Sequence, residues 1–389
     1  MALIFYIKGE WYVKIKNIVS LLTVSSFIVA SISNAVACTS LMMTDVKGNG
    51  YHGRTLEFSS VLPTSMTYFP AGTKIESFTP AGKQGKTFNT KYAILGMTAL
   101  AVPTAKQVTF ADGMNDHGLS MKINWLNSTT AIPVTAEDSK LLSITDFGSW
   151  ALGNFQSATE LKAALATKET EFWLPILKDF SPNPWPQHYH FVDKTGGNLV
   201  VEFTNNKMNV YDNPVGVLTN GPDFPWHLQN LSNYTFTNVD KNTGKLGKLQ
   251  LATQDSGIAL TALPSAQTSQ GRFVKAAFYV NYVRKGKTPD EAMNMLAHVM
   301  NNFDRPYDLT IDGAGGSGDG VRGKGFSSEV TLWTTMSDLN RNQYYVRSIN
   351  AMNFAMVDMN KLSNIKQIKS ISSYDVDKAG ADLFVVLNK

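Results

Sequence analysis

Cysteine is almost missing: the 389 residues hold one, Cys38. A single thiol makes neither an intramolecular disulfide nor a multi-thiolate metal site, so nothing in the fold rests on cysteine cross-linking. Net charge is nearly lacking too. The formal +4 includes Lys8, Lys14 and Lys16 against Glu10 in the first 37 residues, which leaves 32 basic and 30 acidic side chains beyond them. That balance carries no footprint for nucleic acid or an anionic membrane. No unbroken apolar run reaches the ~20 residues of a spanning helix. The stretch from Ile18 to Ala30 is interrupted by Ser20, Ser25 and Ser26. There is no Gly-x-Ser-x-Gly elbow to support a serine hydrolase, no internal repeat and no low-complexity linker. What remains is an ordinary globular composition, 43% apolar, with ample material for a large core.

The first 37 residues read as a targeting segment. Lys14 and Lys16 precede the apolar run, and Ala35-Val36-Ala37 stands directly before Cys38. That order of n-region, h-region and A-x-A site predicts a signal peptide over 1–37. Cleavage between Ala37 and Cys38 delivers a single domain, 38–389, to the periplasm or the medium. Residues 1–12 precede a signal that would be complete from Val13, so the start codon is a question for N-terminal sequencing of the precursor. A rival reading takes Cys38 as a site of diacylglyceryl attachment, which anchors the protein and blocks the thiol. Against it, Ala35 stands where a lipoprotein signal usually has leucine, and the sequence after Cys38 is strand-like at once, with no flexible tether.

From Cys38 the chain alternates short strand-like runs with turn residues. Lys47-Gly48-Asn49-Gly50 predicts a hairpin. Further runs cover Tyr92 to Met97, Gln107 to Phe110, Leu119 to Trp125, His188 to Val192, Asn198 to Phe203 and Val215 to Thr219. A later group covers Val330 to Thr335, Gln343 to Val346 and Asn353 to Val357. Lys194-Thr195-Gly196-Gly197 and similar turns favour antiparallel pairing over long crossovers. Capping boxes at Ser157-Ala158-Thr159-Glu160 and Thr288-Pro289-Asp290-Glu291 start two helices. A third is expected over Arg272 to Val283, where Phe273, Ala276, Ala277 and Val280 share a face. The sum is a layered α+β domain.

Signal removal would place an α-amino group and a thiol on one residue. Their reference pKa values, ~7.7–8.0 and ~8.5, are matched for proton transfer near neutral pH. Such a nucleophile needs a cation beside the sulfur, a carboxylate to position the amine, and donors for an oxyanion.

Tyr51-His52-Gly53-Arg54-Thr55-Leu56-Glu57, Lys91-Tyr92-Ala93-Ile94-Leu95-Gly96-Met97 and Phe110-Ala111-Asp112-Gly113-Met114-Asn115 follow in order. Val215-Gly216-Val217-Leu218-Thr219-Asn220-Gly221-Pro222 and Gly271-Arg272-Phe273-Val274-Lys275-Ala276-Ala277-Phe278 come later. In these collinear stretches the chain resembles the choloylglycine hydrolase family of N-terminal-nucleophile amidases, the conjugated bile salt hydrolases and penicillin V acylases, over essentially all of 38–360. The resemblance implies a four-layer αββα sandwich, cofactor-free amide hydrolysis through a thioester, no metal and a homotetramer. It implies Cys38 as nucleophile and base, Arg54 beside the thiol, Arg272 as second arginine, and Asn220 as the oxyanion donor. Glu57 stands where many members have aspartate, to hold the α-amine. Trp125, or Asn124 after a one-residue gap, fills the position of a bile salt hydrolase asparagine or a penicillin acylase aromatic. Trp125, offering a backbone N–H and an aromatic wall, points with the export signal to the penicillin V acylase branch. Such a pocket also suits the acyl chain of an N-acyl homoserine lactone, and conjugated bile salts are the alternative.

Two other signals are set aside. Gly313-Ala314-Gly315-Gly316-Ser317-Gly318 fits G-x-G-x-x-G, but a strand-like rather than a helical stretch follows it, and a dinucleotide needs a helix N-terminus there. His188 and His190 share a strand face, yet no third ligand stands at metal spacing. His52, His117, His227 and His298 are scattered.

Overall fold

The computed structural model describes residues 4–7, 10–13, 37–59, 62–99, 108–167, 169–177, 181–234, 243–252, 257–314, 326–376 and 384–388. The apolar run of the expected signal and Ala35-Val36 lie outside them, as does most of the glycine-rich stretch from Gly315 onward. Two antiparallel sheets carry the fold. The first comprises β1 (Cys38–Thr44), β2 (Gly50–Phe58), β10 (Val217–Leu218), β11 (Val330–Asp338), β12 (Gln343–Ser348) and β13 (Ala355–Asp358), in the order β10-β1-β2-β11-β12-β13. The second has the order β9-β8-β7-β6-β5-β4-β3-β14. Its strands are β3 (Thr64–Phe69), β4 (Ile94–Ala99), β5 (Phe110–Asn115), β6 (Leu119–Trp125), β7 (Gln187–Asp193), β8 (Asn198–Thr204), β9 (Lys207–Asp212) and β14 (Lys369–Ser372).

Helices close both outer faces. On the second sheet lie α1 (Phe147–Asn154) and α2 (Ala158–Ala166), and on the first lie α4 (Ser269–Tyr282) and α5 (Pro289–Asn301). The short α3 (Phe224–Asn230) follows β10 in the chain. This is the four-layer α+β sandwich. Under α1, Phe147 meets Phe172, Tyr189 and Phe191 edge-on, with ring centroids 4.7–5.5 Å apart. Under α4 and α5, Phe273, Leu296 and Met300 are fully buried against Tyr51 and Leu218. Each such side chain contributes roughly 1.5–3 kcal/mol. Gly53 sits where α5 comes closest: a Cβ there would lie 2.7 Å from the Met300 sulfur. The small residue in Tyr51-His52-Gly53-Arg54 is what lets helix and strand meet.

Cross-strand pairing fixes which side chains face the second sheet. Cys38 pairs with Leu56 and Ser40 with Arg54, so Cys38, Ser40, His52, Arg54 and Leu56 share the inner face, while Thr39 and Glu57 turn toward α4. The inner layer is partly polar. Lys122 Nζ donates to Asp112 at 2.5 Å, Thr335 and Tyr344 donate to the same carboxylate, and all four are fully buried or nearly so. A carboxylate with three donors meets the condition under which a buried ion pair is tolerated.

Most sequence expectations land within a few residues. The hairpin turn after Thr44 and the strand Leu119–Trp125 are as read. The run assigned to Gln107–Phe110 instead begins at Phe110 and continues to Asn115, and Gln107 itself lies outside the described residues. Tyr92–Met97 shifts to Ile94–Ala99, and Val215–Thr219 shrinks to two paired residues because Gly216 takes a positive φ of 72°. The helix expected from Arg272 starts three residues earlier, capped by Thr268, whose hydroxyl accepts from Gly271 N–H. In both capping boxes the hydroxyl bond forms as expected. The carboxylate, however, reaches one residue further out, to the N–H of Gln156 and of Lys287.

Candidate active site

Cys38 opens β1 and is 1% exposed. Its sulfur faces the gap between the sheets, where Arg54 Nη2 donates to it at 3.3 Å. Arg54 comes from β2 two positions before the residue paired with Cys38, and its other amino group donates to the Ala111 carbonyl at 3.4 Å. Its guanidinium also lies over the Trp333 ring. Burial is the largest influence on the thiol and pushes its pKa up. Arg54 opposes that, Glu57 adds to it, and Arg272 opposes it.

The main chain of Cys38 is held from the α4 side. Arg272 Nη1 donates to the Cys38 carbonyl at 2.5 Å and to Thr39 Oγ1 at 2.7 Å, and Nη2 donates to Asn220 Oδ1 at 2.8 Å. The same Asn220 oxygen accepts from Cys38 N–H at 2.7 Å. Two donors on that atom fix the orientation of the amide. Asn220 Nδ2 then faces the Trp125 carbonyl and donates to it at 3.0 Å. The Asn220 backbone is fastened by Ser269, whose hydroxyl accepts from its N–H at 3.0 Å, and by His227, whose Nε2 donates to its carbonyl at 2.9 Å. The amide read from the sequence as an oxyanion donor thus already has one N–H on Trp125, which leaves its second N–H for another acceptor.

Glu57 lies on the α4 face and is fully buried. Its Oε1 accepts from Thr331 Oγ1 at 3.1 Å, and its Oε2 has no hydrogen-bond partner. Burial raises its pKa, with Arg272 and then Arg305 opposing. The Glu57 main chain touches the residue before Cys38 directly, its N–H donating to the Ala37 carbonyl at 2.9 Å. Arg305 donates to Glu329 and to the Gln267 carbonyl, which also accepts from Arg272 Nε. Arg305, Glu57, Cys38 and Glu329 therefore all lie within electrostatic reach of Arg272. Desolvation, and after it the charge of Arg305, push Arg272 down to about 10.

Trp125 and Asn124 play different parts. The Trp125 ring walls a pocket that reaches Cys38, and its Nε1 donates to Asn127 at 2.5 Å. Asn124 Nδ2 is committed inside the fold, to the Leu218 carbonyl at 2.9 Å and Ser40 at 3.3 Å. The pocket is lined by Arg54, Leu56, Phe58, Leu62, Ile123 and Trp185 among others. His188 and His190 are in the second sheet as read. His188 bonds Glu202 and the Thr219 carbonyl, and His190 bonds Ser40 and Asn198, so both have structural partners.

The structure therefore brings Cys38, Arg54, Asn220 and Arg272 into direct contact and sets Glu57 and Trp125 beside them. Sequence reading passed over Trp333, Arg305, Glu329 and Ser269, and set His227 aside among the scattered histidines. None of these carries a local signal: each lies in an ordinary strand, helix or loop and reaches the site only through tertiary packing.

Over residues 38–372 the chain matches the family of linear amide C–N hydrolases, choloylglycine hydrolase family. It is 30% identical over 328 residues to the bile salt hydrolase/transferase of Clostridium perfringens, covering 83% of this chain and 93% of that one. It is 22% identical over 369 residues to the penicillin V acylase of Pectobacterium atrosepticum, covering 90% and 88%. A crystal structure of a conjugated bile acid hydrolase variant from Clostridium perfringens superposes with a TM-score of 0.71 at 29% identity, over 86% of this chain and 97% of that one. The penicillin V acylase of Agrobacterium tumefaciens shares the fold with a TM-score of 0.65 at 22% identity, over 86% and 90%. With its thiol, its two arginines and its side-chain amide set on this sandwich, the chain belongs to the choloylglycine hydrolase family of linear amide C–N hydrolases.

Proposed function

We propose that the chain hydrolyses the amide between a hydrophobic acyl group and a small amine head group. The observation that carries this is the Cys38 thiol at the wall of a mainly apolar pocket, with Arg54 on its sulfur and Asn220 at its main chain. Cys38 Sγ attacks the acyl carbonyl while the α-amine, once free, takes the thiol proton. As the tetrahedral intermediate collapses, the resulting ammonium passes that proton to the leaving amine, the C–N bond breaks and a thioester remains. Water then attacks the thioester and releases the acid and the thiol. Asn220 and the Trp125 backbone hold the oxyanion, Glu57 positions the amine, and Arg272 fixes the Cys38 carbonyl.

Within this class we favour a penicillin V acylase-like substrate, or the acyl chain of an N-acyl homoserine lactone, because Trp125, Trp185 and Phe58 give the pocket flat aromatic walls. The 30% identity to a bile salt hydrolase/transferase supports conjugated bile salts as the second reading. Turnover of penicillin V, glycocholate and a long-chain acyl homoserine lactone by the purified enzyme separates the two. Cleavage of glycocholate alone rejects the first.

The reading carries three further proposals. Cleavage after Ala37 frees Cys38 and places the enzyme in the periplasm or outside the cell. Intact mass tests this, since an added diacylglyceryl group would instead make it an anchored envelope binding protein. Residues 38–389 then act as one domain. Four copies assemble, an arrangement supported by the exposed Leu246, Leu249 and Leu251 on the hairpin 243–252. Light scattering that gives a monomer rejects the tetramer.

A further inference from the structure

His227 takes no part in the bond-making steps, yet one hydrogen bond ties it to Asn220. Its ring is fully buried, and Nε2 donates to the Asn220 carbonyl at 2.9 Å. A carbonyl only accepts, so the ring proton sits on Nε2 and Nδ1 carries a bare lone pair. That Nδ1 is buried with no hydrogen-bond partner among the described residues. Packing alone does not call for such an atom. The ring stacks on Phe273 of α4, with centroids 4.4 Å apart and planes 15° from parallel, a place that a phenyl group would fill with no acceptor left unpaired. What a histidine adds at this position is the Nε2 donor.

The bond closes a frame around Asn220. From α4, Ser269 accepts from the Asn220 N–H, and Arg272, the neighbour of Phe273, donates to Asn220 Oδ1. From α3, whose range Phe224–Asn230 contains His227, the ring holds the carbonyl on the other side of the same residue. Gly221 follows, and without a side chain it does little to restrain that peptide plane itself. Freeing the carbonyl loosens the backbone from which the Asn220 amide projects. A displacement of about 1 Å in a group that must meet the transition state can cost a hundredfold in rate.

We propose that His227 is a positioning residue for amide hydrolysis: its Nε2–H pins the Asn220 carbonyl and thereby holds the Asn220 amide on the oxyanion. This rests on the acyl-amide reading above and deepens it. His227 acts through Asn220, so its contribution exists while the Asn220 amide is present and vanishes with it.

The test is a double-mutant cycle with the purified enzyme, on whichever of penicillin V and glycocholate the wild type cleaves faster. His227→Phe keeps a ring for Phe273 and removes the N–H, His227→Gln removes the ring and keeps an N–H at similar reach, and His227→Leu is a second variant with no donor. His227→Phe should lower kcat about tenfold or more, with KM within about twofold, and His227→Gln should recover most of the loss. In an Asn220→Ala background His227→Phe should change kcat by less than about twofold. A purely structural role costs the same in both backgrounds, so an equal loss overturns the proposal. So does a His227→Gln enzyme as slow as the phenylalanine and leucine variants, or a wild-type kcat in both of those. Iodoacetamide alkylation of Cys38, which forms no oxyanion, should run at the wild-type rate in His227→Phe, and a slowed rate would trace the defect to the thiol and reject the assignment. If Asn220→Ala alone leaves kcat unchanged, the oxyanion reading falls and this inference with it. If Asn220→Ala is slow and the two losses simply add, this inference alone falls.

Discussion

The guanidinium carbon of Arg54 lies 4.8 Å from the centre of the Trp333 ring, and both side chains are 1% exposed. Among the described residues Arg54 forms no ion pair with a carboxylate. Its hydrogen bonds go to a carbonyl and to the Cys38 sulfur, and its Nε has no partner. A desolvated cation so placed has the ring face on one side and the thiol on the other, so the ionised thiol is its natural counter-charge.

Trp333 should therefore set the thiol's acidity from a distance. A buried cation–π contact is worth about 2 kcal/mol, which caps the effect at roughly 1.5 pKa units. Trp333→Leu is expected to raise the pH midpoint of iodoacetamide alkylation of Cys38 within that cap, with Trp333→Phe in between. An unmoved midpoint in a folded Trp333→Leu protein would show that the ring only fills space.

Asn220 joins parts of the site that lie far apart in sequence: Cys38, Arg272 and Trp125 all bond its side chain. Asn220→Ala should lower kcat by about 10² to 10³, the usual cost of one oxyanion donor, with a smaller change in KM. Asn220→Asp places a carboxylate where the oxyanion is proposed to form and should be no better. A kcat within threefold of wild type in either variant would remove Asn220 from the chemistry.

The strands and the capped helices were legible because period-two runs between turn residues, and hydroxyls three residues before a carboxylate, act locally. Residues 147–154 gave no such signal: seven of the eight are buried, so the helix has no polar face to set a period. The same limit divides the site. Arg54 and Glu57 stand in a hairpin with Cys38, and Asn220 and Arg272 sit in recognisable collinear stretches. Trp333 and Arg305 are ordinary residues until β11 is laid against β2. Nor does sequence say that Asn220 points its amide at Trp125, which depends on the two donors that converge on its oxygen.

Buried histidines make stability depend on pH. Burial pushes His190 down to about 3 and His227 to about 4, and lowers His52 as well. Each is neutral in the fold but takes a proton near 6.5 when the chain unfolds. The stability this confers is therefore complete above that pH and is lost as pH falls toward the folded values. Between pH 6.5 and 5, His190 and His227 should each cost about 1.6 kcal/mol. Glu57, raised by burial, acts in the opposite sense as pH rises. Urea unfolding at the two pH values is expected to show a clear net loss at the lower one, reduced in His227→Gln. A flat profile would contradict the buried, neutral state of these rings.

With Ala37 attached, Cys38 N is a peptide nitrogen: it has no basic lone pair, and its N–H is committed to Asn220 Oδ1. The Ala37 carbonyl in turn accepts from Glu57 N–H. Cleavage at this bond changes both relations, creating an amine of pKa ~7.7–8.0 and freeing the Glu57 N–H beside it. The sulfur keeps its contact with Arg54 in either form. A chain that retains Ala37 should therefore still be alkylated at Cys38 by iodoacetamide, yet turn over amides about 10² to 10⁴ more slowly for want of a general base. Full turnover by protein whose intact mass includes Ala37 would mean that the base is some other group.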